Sequence, residues 1–300
     1  MTTLYFSVAD CVYCVEFADE SIDYKALLPS SGAFFVKTPT AAPIFRLRVE
    51  EGLTHGTEGL LEEVGHFDNG DVWHHVWRKA EGGYRFQMDD VDGTMACIME
   101  TNADFSECRA SLFGGYSNQK FGIENAIMIA FAFAGARHGV LLIHASVPAV
   151  GEAAYMFQGK SGTGKSTHCK LWLNHIDDAE LLNDDNPAIR LMPDGQVFTY
   201  GTPWSGKTPC YRQERRRSGG FLRLQQAPHN KIRQHSKLEA FASLLSSCST
   251  MVWDKLSYDA ICNTVSGVVA RVPSFILECL PDEEAARMSF RALTTLKADE

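Results

Sequence analysis

The stretch from residue 159 to 167, GKSGTGKST, constrains this chain more than any other, because it holds the full G-x-x-x-x-G-K-[ST] spacing of a phosphate cradle. Glycines at 159, 162 and 164 let the backbone turn tightly enough to aim several N–H groups at a polyphosphate. Lys165 places a cation on the outer phosphates, and Ser166 offers a hydroxyl to Mg²⁺. The spacing predicts that Gly159, Ser161, Gly162, Thr163, Gly164, Lys165, Ser166 and Thr167 contact the phosphates of a nucleotide. Such a loop functions only between a strand and a helix, since the anion sits on the free amides and positive dipole end of the new helix. Residues 153–157 (AAYMF) read as a short buried strand. Residues 166–174 carry Cys169, Leu171, Trp172 and Leu173 at helical spacing, so the order is the required one. A Gly/Ser surface turn matching the pattern by chance is the competing reading.

The 300 residues allow one large domain or two ordinary ones, and a 45% hydrophobic content suffices for a real core. A net charge of -9 argues against nucleic acid as the main partner, which calls for clustered Lys and Arg. The run Arg215-Arg216-Arg217 is the exception. Nine scattered cysteines and the absence of a signal-peptide pattern lead us to expect a reduced, cytoplasmic protein without a disulfide framework. Cys11 and Cys14 form a C-x-x-C that no second pair completes into a zinc site, so core packing is the reading for both. The longest apolar run, 126–136, falls short of the roughly 20 residues that cross a bilayer, and a buried helix is expected there rather than a membrane contact.

From residue 4 to about 108, short runs rich in aromatic and β-branched residues alternate with turn signals at 68–70, 81–83 and 92–93, which predicts a mostly antiparallel sheet. Adjacent His74 and His75 point to opposite faces of a strand and so are poorly placed to share a metal ion. Composition shifts near 114–121, followed by a helical stretch at 124–137, so the expected domains are 1–115 and 116–300. After the glycine loop and its helix, ELLNDDNPAIR supplies a second apolar strand ending in Asp184 and Asp185, only 19 and 20 residues beyond Lys165. A single helix between them brings both carboxylates to the loop's edge of the sheet. Adjacent carboxylates repel, and a divalent cation favours the ionised pair. A solvated Asn-Asp-Asp turn is the alternative. Residues 197–207 read as a strand ending in a Gly/Pro turn with Lys207. The polar stretch 208–220 reads as a mobile lid or docking loop bounded by glycines, with Arg212 as a candidate site cation.

His144 placed 15 residues before Gly159, the loop GKSGTGKST and the Asp184-Asp185 pair resemble the HPr kinase/phosphorylase catalytic domain. More distantly, they resemble the ATP-dependent phosphoenolpyruvate carboxykinases. The likeness covers roughly residue 144 to the C-terminus. Closer still, KSGTGKSTHCKLWL, LLNDDNP and YGTPWSGKTPCYR are similar to a bacterial group of HPr-kinase-related proteins. The resemblance implies an α/β P-loop kinase domain preceded by a smaller β-rich (α+β) N-terminal domain. It also implies a cytoplasmic enzyme that moves the γ-phosphoryl of ATP to a serine-like hydroxyl on a peptide, protein or small molecule. Asp184 and Asp185 would share the roles of base and, with Ser166, Mg²⁺ ligand, assisted by His144; Lys207 and Arg212 are the cations that the glycine-bounded stretch itself offers. HPr kinases are hexamers, so the likeness admits a homo-oligomer. Departures exist: His168-Cys169-Lys170 stands where the family has an acidic residue, and Trp204-Ser205-Gly206-Lys207 replaces the bifunctional enzymes' downstream signature. The alternatives are a non-catalytic ATP-binding regulatory module and a carboxykinase-like metabolite enzyme.

Overall fold

The computed structural model describes residues 1–56, 58–68, 73–206 and 208–295. The Asn-Gly turn expected at 69–70 and the candidate Lys207 lie outside them. The fold is mixed α/β with two large sheets, one in each of two compact units, Met1–Gly135 and Ala136–Glu300. The division therefore follows the helix that sequence reasoning set at the head of the second domain, instead of falling at 115/116.

The first unit is built on β1 (Thr2–Val8), β2 (Cys11–Phe17), β3 (Phe35–Val36), β4 (Arg46–Val49), β5 (Leu60–Asp68), β6 (Trp73–Lys79), β7 (Tyr84–Asp89), β8 (Met95–Thr101) and β9 (Glu107–Leu112). They lie in the order β3-β1-β2-β4-β9-β8-β7-β6-β5. The meander β5 to β9 is antiparallel, but β4 runs parallel to both β2 and β9. The physical reason is the connection: the chain from β2 to β4 is long and includes a one-turn helix, α1 (Tyr24–Leu27), whereas short hairpin loops force antiparallel neighbours. His74 is buried, while His75 is half exposed and reaches Glu63 at 2.8 Å, as opposite faces require. Helix α2 (Tyr116–Ala136) belongs to this unit because its aromatic residues pack on this sheet. Phe131 sits 6.0 Å from Tyr13 and Phe133 5.2 Å from Phe105. At Gly122 an added Cβ would lie 2.7 Å from the Ala96 carbonyl, so the helix backbone closes directly onto β8. Among the described residues, no helix is long and apolar enough to cross a membrane.

The second unit contains β10 (Val140–Leu142), β11 (Ala145–Val150), β12 (Ala153–Gln158), β13 (Ala179–Asp185), β14 (Ala188–Leu191), β15 (Val197–Tyr200), β16 (Arg215–Gln226), β17 (Lys231–Gln234) and β18 (Ser274–Cys279). Their order is β10-β14-β15-β16-β12-β11-β13, with β18 on the distal half of β16 and β17 on β18. Strand alternation divides the core. Tyr155 and Phe157 of β12 face Trp172 of α3 (Lys165–His175) and Leu293 of α6 (Glu283–Thr295). Ala154 and Met156 face Leu244 of α4 (Lys237–Leu245) and Val265 of α5 (Lys255–Arg271). Helices thus cover both faces of one sheet.

The reading of residues 208–220 as a single polar loop is corrected. Arg215, Arg216 and Arg217 belong to β16 and pair with Tyr200, Thr199 and Phe198 of β15. Polar side chains hid the strand, yet the charges of Arg215 and Arg216 find partners on it. The Arg215 guanidinium lies 4.6 Å over the Phe198 ring, and Arg216 reaches Glu180 and Glu214 at 3.0 Å each.

Candidate functional site

Strand direction assembles the site. Both β12 and β13 run antiparallel to β11, so their C-terminal ends emerge at one edge, where Ala145 is the register partner of both Gln158 and Asp185. His144 directly precedes Ala145, and the glycine loop directly follows Gln158. A 19-residue separation in sequence therefore becomes a one-strand separation in space.

The glycine loop passes into α3 through backbone conformations that demand glycine. Gly162 and Gly164 have φ of 79° and 97°. Gly164 gives α3 no side-chain cap, which leaves its first-turn amides for another acceptor, and a Cβ at Gly162 or Gly164 would meet nothing within 4 Å. Thr163 closes the loop by donating Oγ1 to the Lys160 carbonyl at 2.8 Å, whereas Ser161 and Thr167 are exposed. Lys165 is 8% exposed, and its ammonium folds onto the loop's own carbonyls, Gly159 O at 3.0 Å and Lys160 O at 3.3 Å. Burial holds it below the ordinary lysine range, with Asp185 and Asp184 pulling the other way and Arg223 adding to the depression.

The two aspartates are placed differently. Asp184 is buried, and its Oδ1 accepts from Ser146 Oγ at 2.5 Å and Ser166 Oγ at 3.0 Å. Its carbonyl accepts from Gly206 N at 2.6 Å. Asp185 is more open, at 36% side-chain exposure, and its Oδ1 lies 2.9 Å from His144 Nδ1. Its backbone has φ 141°, a region where non-glycine residues are strained and persist only if their surroundings enforce it. The enforcement is visible: Asp185 bridges to Ser205, Asn183 donates to Thr202 Oγ1 at 3.1 Å, and Thr202 in turn donates to the Asn186 carbonyl at 2.6 Å. A Cβ at Gly206 would stand 3.1 Å from that of Asp185, so this turn closes tightly over the carboxylate pair.

The structure thus brings together His144, Lys165, Ser166, Asp184 and Asp185. It does not bring Arg212 to them, because its guanidinium is paired with Glu180 near the far end of β13. Cys210 also donates to the carbonyls of Leu181 and Leu182 at 3.4 Å, which pins this segment to β13. Sequence reasoning missed Ser146, whose hydroxyl completes the Asp184 environment. Its only signal was a polar residue ending an apolar run, and the β11–β13 register that gives it meaning is non-local. The donors at hand, a carboxylate with two hydroxyls on one oxygen, are the hard oxygen ligands that Mg²⁺ prefers, and the uncapped loop suits a polyphosphate.

No family model matches the chain, and no curated protein does. Among solved structures, the chain has a distant similarity to the HPr(Ser) kinase/phosphatase from Coxiella burnetii. The two are 12% identical over 52% of this chain and 94% of that one, with a TM-score of 0.30.

Proposed function

We propose that the Ala136–Glu300 unit is an ATP- and Mg²⁺-dependent phosphotransferase of the P-loop kinase kind, which moves the γ-phosphoryl group to a hydroxyl of a peptide, protein or small molecule. One observation carries the reading: Ser166 of the loop and Asp184 of the neighbouring strand meet at 3.0 Å, with the Asp185–His144 pair beside them. A phosphate cradle alone serves switches as well as enzymes. A second carboxylate, held open on strained backbone next to a histidine, is what a catalytic base requires.

In this reading Ser166 and Asp184 hold Mg²⁺, since both are already directed at one point and Asp184 is too buried to meet an acceptor. Held by these two side chains, the ion would supply charge neutralisation for the phosphates. Lys165 exchanges the carbonyls of Gly159 and Lys160 for phosphate oxygens, and the first-turn amides of α3 bind the remainder. Asp185 takes the proton of the acceptor hydroxyl, and His144 Nδ1 orients its Oδ1.

Calorimetric titration with ATP and Mg²⁺ tests the binding half of this assignment. Lys165→Ala and Ser166→Ala each remove a charge-assisted contact, and about 10- to 100-fold weaker affinity is expected. Parental affinity in both variants would make the loop a bystander.

A further inference from the structure

Two polar groups at this sheet edge have no part in the chemistry above. Gln158, the last residue of β12, is fully buried at 0% exposure. Its Oε1 accepts from Ser243 Oγ at 3.3 Å, but its Nε2 has no hydrogen-bond partner. An orphaned buried donor is destabilising until a bound molecule or an ordered water satisfies it. The direct register partner of Gln158 is Arg223 on β16. Through NH1, Arg223 reaches Ser246 Oγ at 3.0 Å and the Ser243 carbonyl and Ser247 Oγ at 3.4 Å each. Both side chains therefore converge on Ser243, in the last turn of α4. Among the described residues no carboxylate is paired with Arg223, whereas Arg212 and Arg216 share Glu180. Arg223 is also close enough to Lys165 for its charge to add to burial in depressing that ammonium. A guanidinium with no carboxylate partner and an unused amide donor at one edge make a site that an anion would relieve.

We propose that Arg223 and Gln158 form an oxyanion subsite beside the glycine loop, in which the guanidinium and the buried amide are the donors. The proposal rests on the phosphotransferase reading for the identity of its neighbour, and the shared chemistry has two sources. The oxyanion is either the terminal phosphate of the nucleotide or a carboxylate or phosphate group on the acceptor. Support of α4 by Arg223 alone would leave the Gln158 amide unexplained.

The test uses the full chain, the parent beside Arg223→Gln and Gln158→Met, titrated with Mg-ATP, with Mg-ADP, and with inorganic phosphate in the presence and absence of Mg-ADP. Gln158→Met removes the orphaned Nε2 together with the acceptor of Ser243 Oγ, so a merely structural glutamine predicts at most a shift in melting temperature, with unchanged affinities. The subsite predicts about tenfold weaker oxyanion binding in the same variant, whatever its melting temperature. If both variants lose ATP affinity but keep ADP affinity, the terminal phosphate is the occupant. If the ATP to ADP ratio holds while phosphate binding to the ADP complex is lost, the acceptor supplies it. Parental affinities throughout overturn the subsite and leave Arg223 a tether of α4. Should the parent bind neither nucleotide, the phosphotransferase reading fails on its own. Inorganic phosphate then decides the subsite: thermal protection of the parent that both variants lose upholds it, and no protection of the parent overturns it.

Discussion

His168 shows how one side chain sets a pH limit on the second unit. It sits in the first turn of α3, 3% exposed, with Phe157 4.9 Å away edge-on and its Nε2 3.0 Å from Ser289 Oγ. Burial lowers its pKa from 6.5 to about 4, against a weaker opposing pull from Asp282. The folded ring is therefore neutral where an unfolded one is already protonated. Its contribution is fully present above pH 6.5 and is lost as pH falls from 6.5 towards about 4, at up to ~1.4 kcal/mol per pH unit within that window. Thermal melts from pH 7.5 to 4.5 should show a steep loss for the parent and a shallower one for His168→Gln, although the variant starts lower because a packed ring is gone. Equal slopes would mean that the ring is solvated in the native state. The same residue scale explains why Asp184 and Asp185, identical in type and adjacent in sequence, divide their work. One is enclosed by two hydroxyls, and the other is held open beside His144.

Among the elements, α3 and α6 are joined by a small polar latch inside an otherwise apolar layer. Trp172 Nε1 donates to Ser289 Oγ at 2.9 Å, and Ser289 Oγ donates to the Ala286 carbonyl at 2.9 Å. Ser289→Ala strands the buried indole N–H, so denaturant melts should report a loss of about 1–3 kcal/mol; a loss under ~0.5 kcal/mol would mean that the indole finds another acceptor. Elements with local signals were legible in the sequence. The glycine loop dictated the start of α3, and α4 begins at a capping box between Ser236 and Glu239. Helix α5 starts at Lys255, where the Asp254 carboxylate caps it by accepting from Ser257 N at 2.8 Å. What escaped the sequence was set by pairing across distance. Arg215–Arg217 look like loop until β15 pairs with all three and β12 takes up Arg217 on the other side. Arg212 looks like a free cation until Glu180, far away in sequence, engages it. The meeting of Ser146 with Asp184 follows from the β11–β13 register, which no local pattern encodes.

Across the whole molecule, every described residue assigned to phosphoryl transfer, from His144 to Arg223, lies within Ala136–Glu300. The first unit, Met1–Gly135, has its own sheet and its own buried helix and supplies none of them. The central claim is that the second unit catalyses transfer and does not merely bind nucleotide, and the measurement that separates the two is ATP turnover by the full chain with Mg²⁺ and candidate hydroxyl acceptors. Asp185→Asn keeps the shape of the site and removes the charge of the base. It should retain the affinity for ATP and the melting temperature of the parent, yet lose turnover on the order of 10²- to 10⁴-fold. Parental turnover in Asp185→Asn, or a parent that binds ATP and never consumes it, would contradict the account.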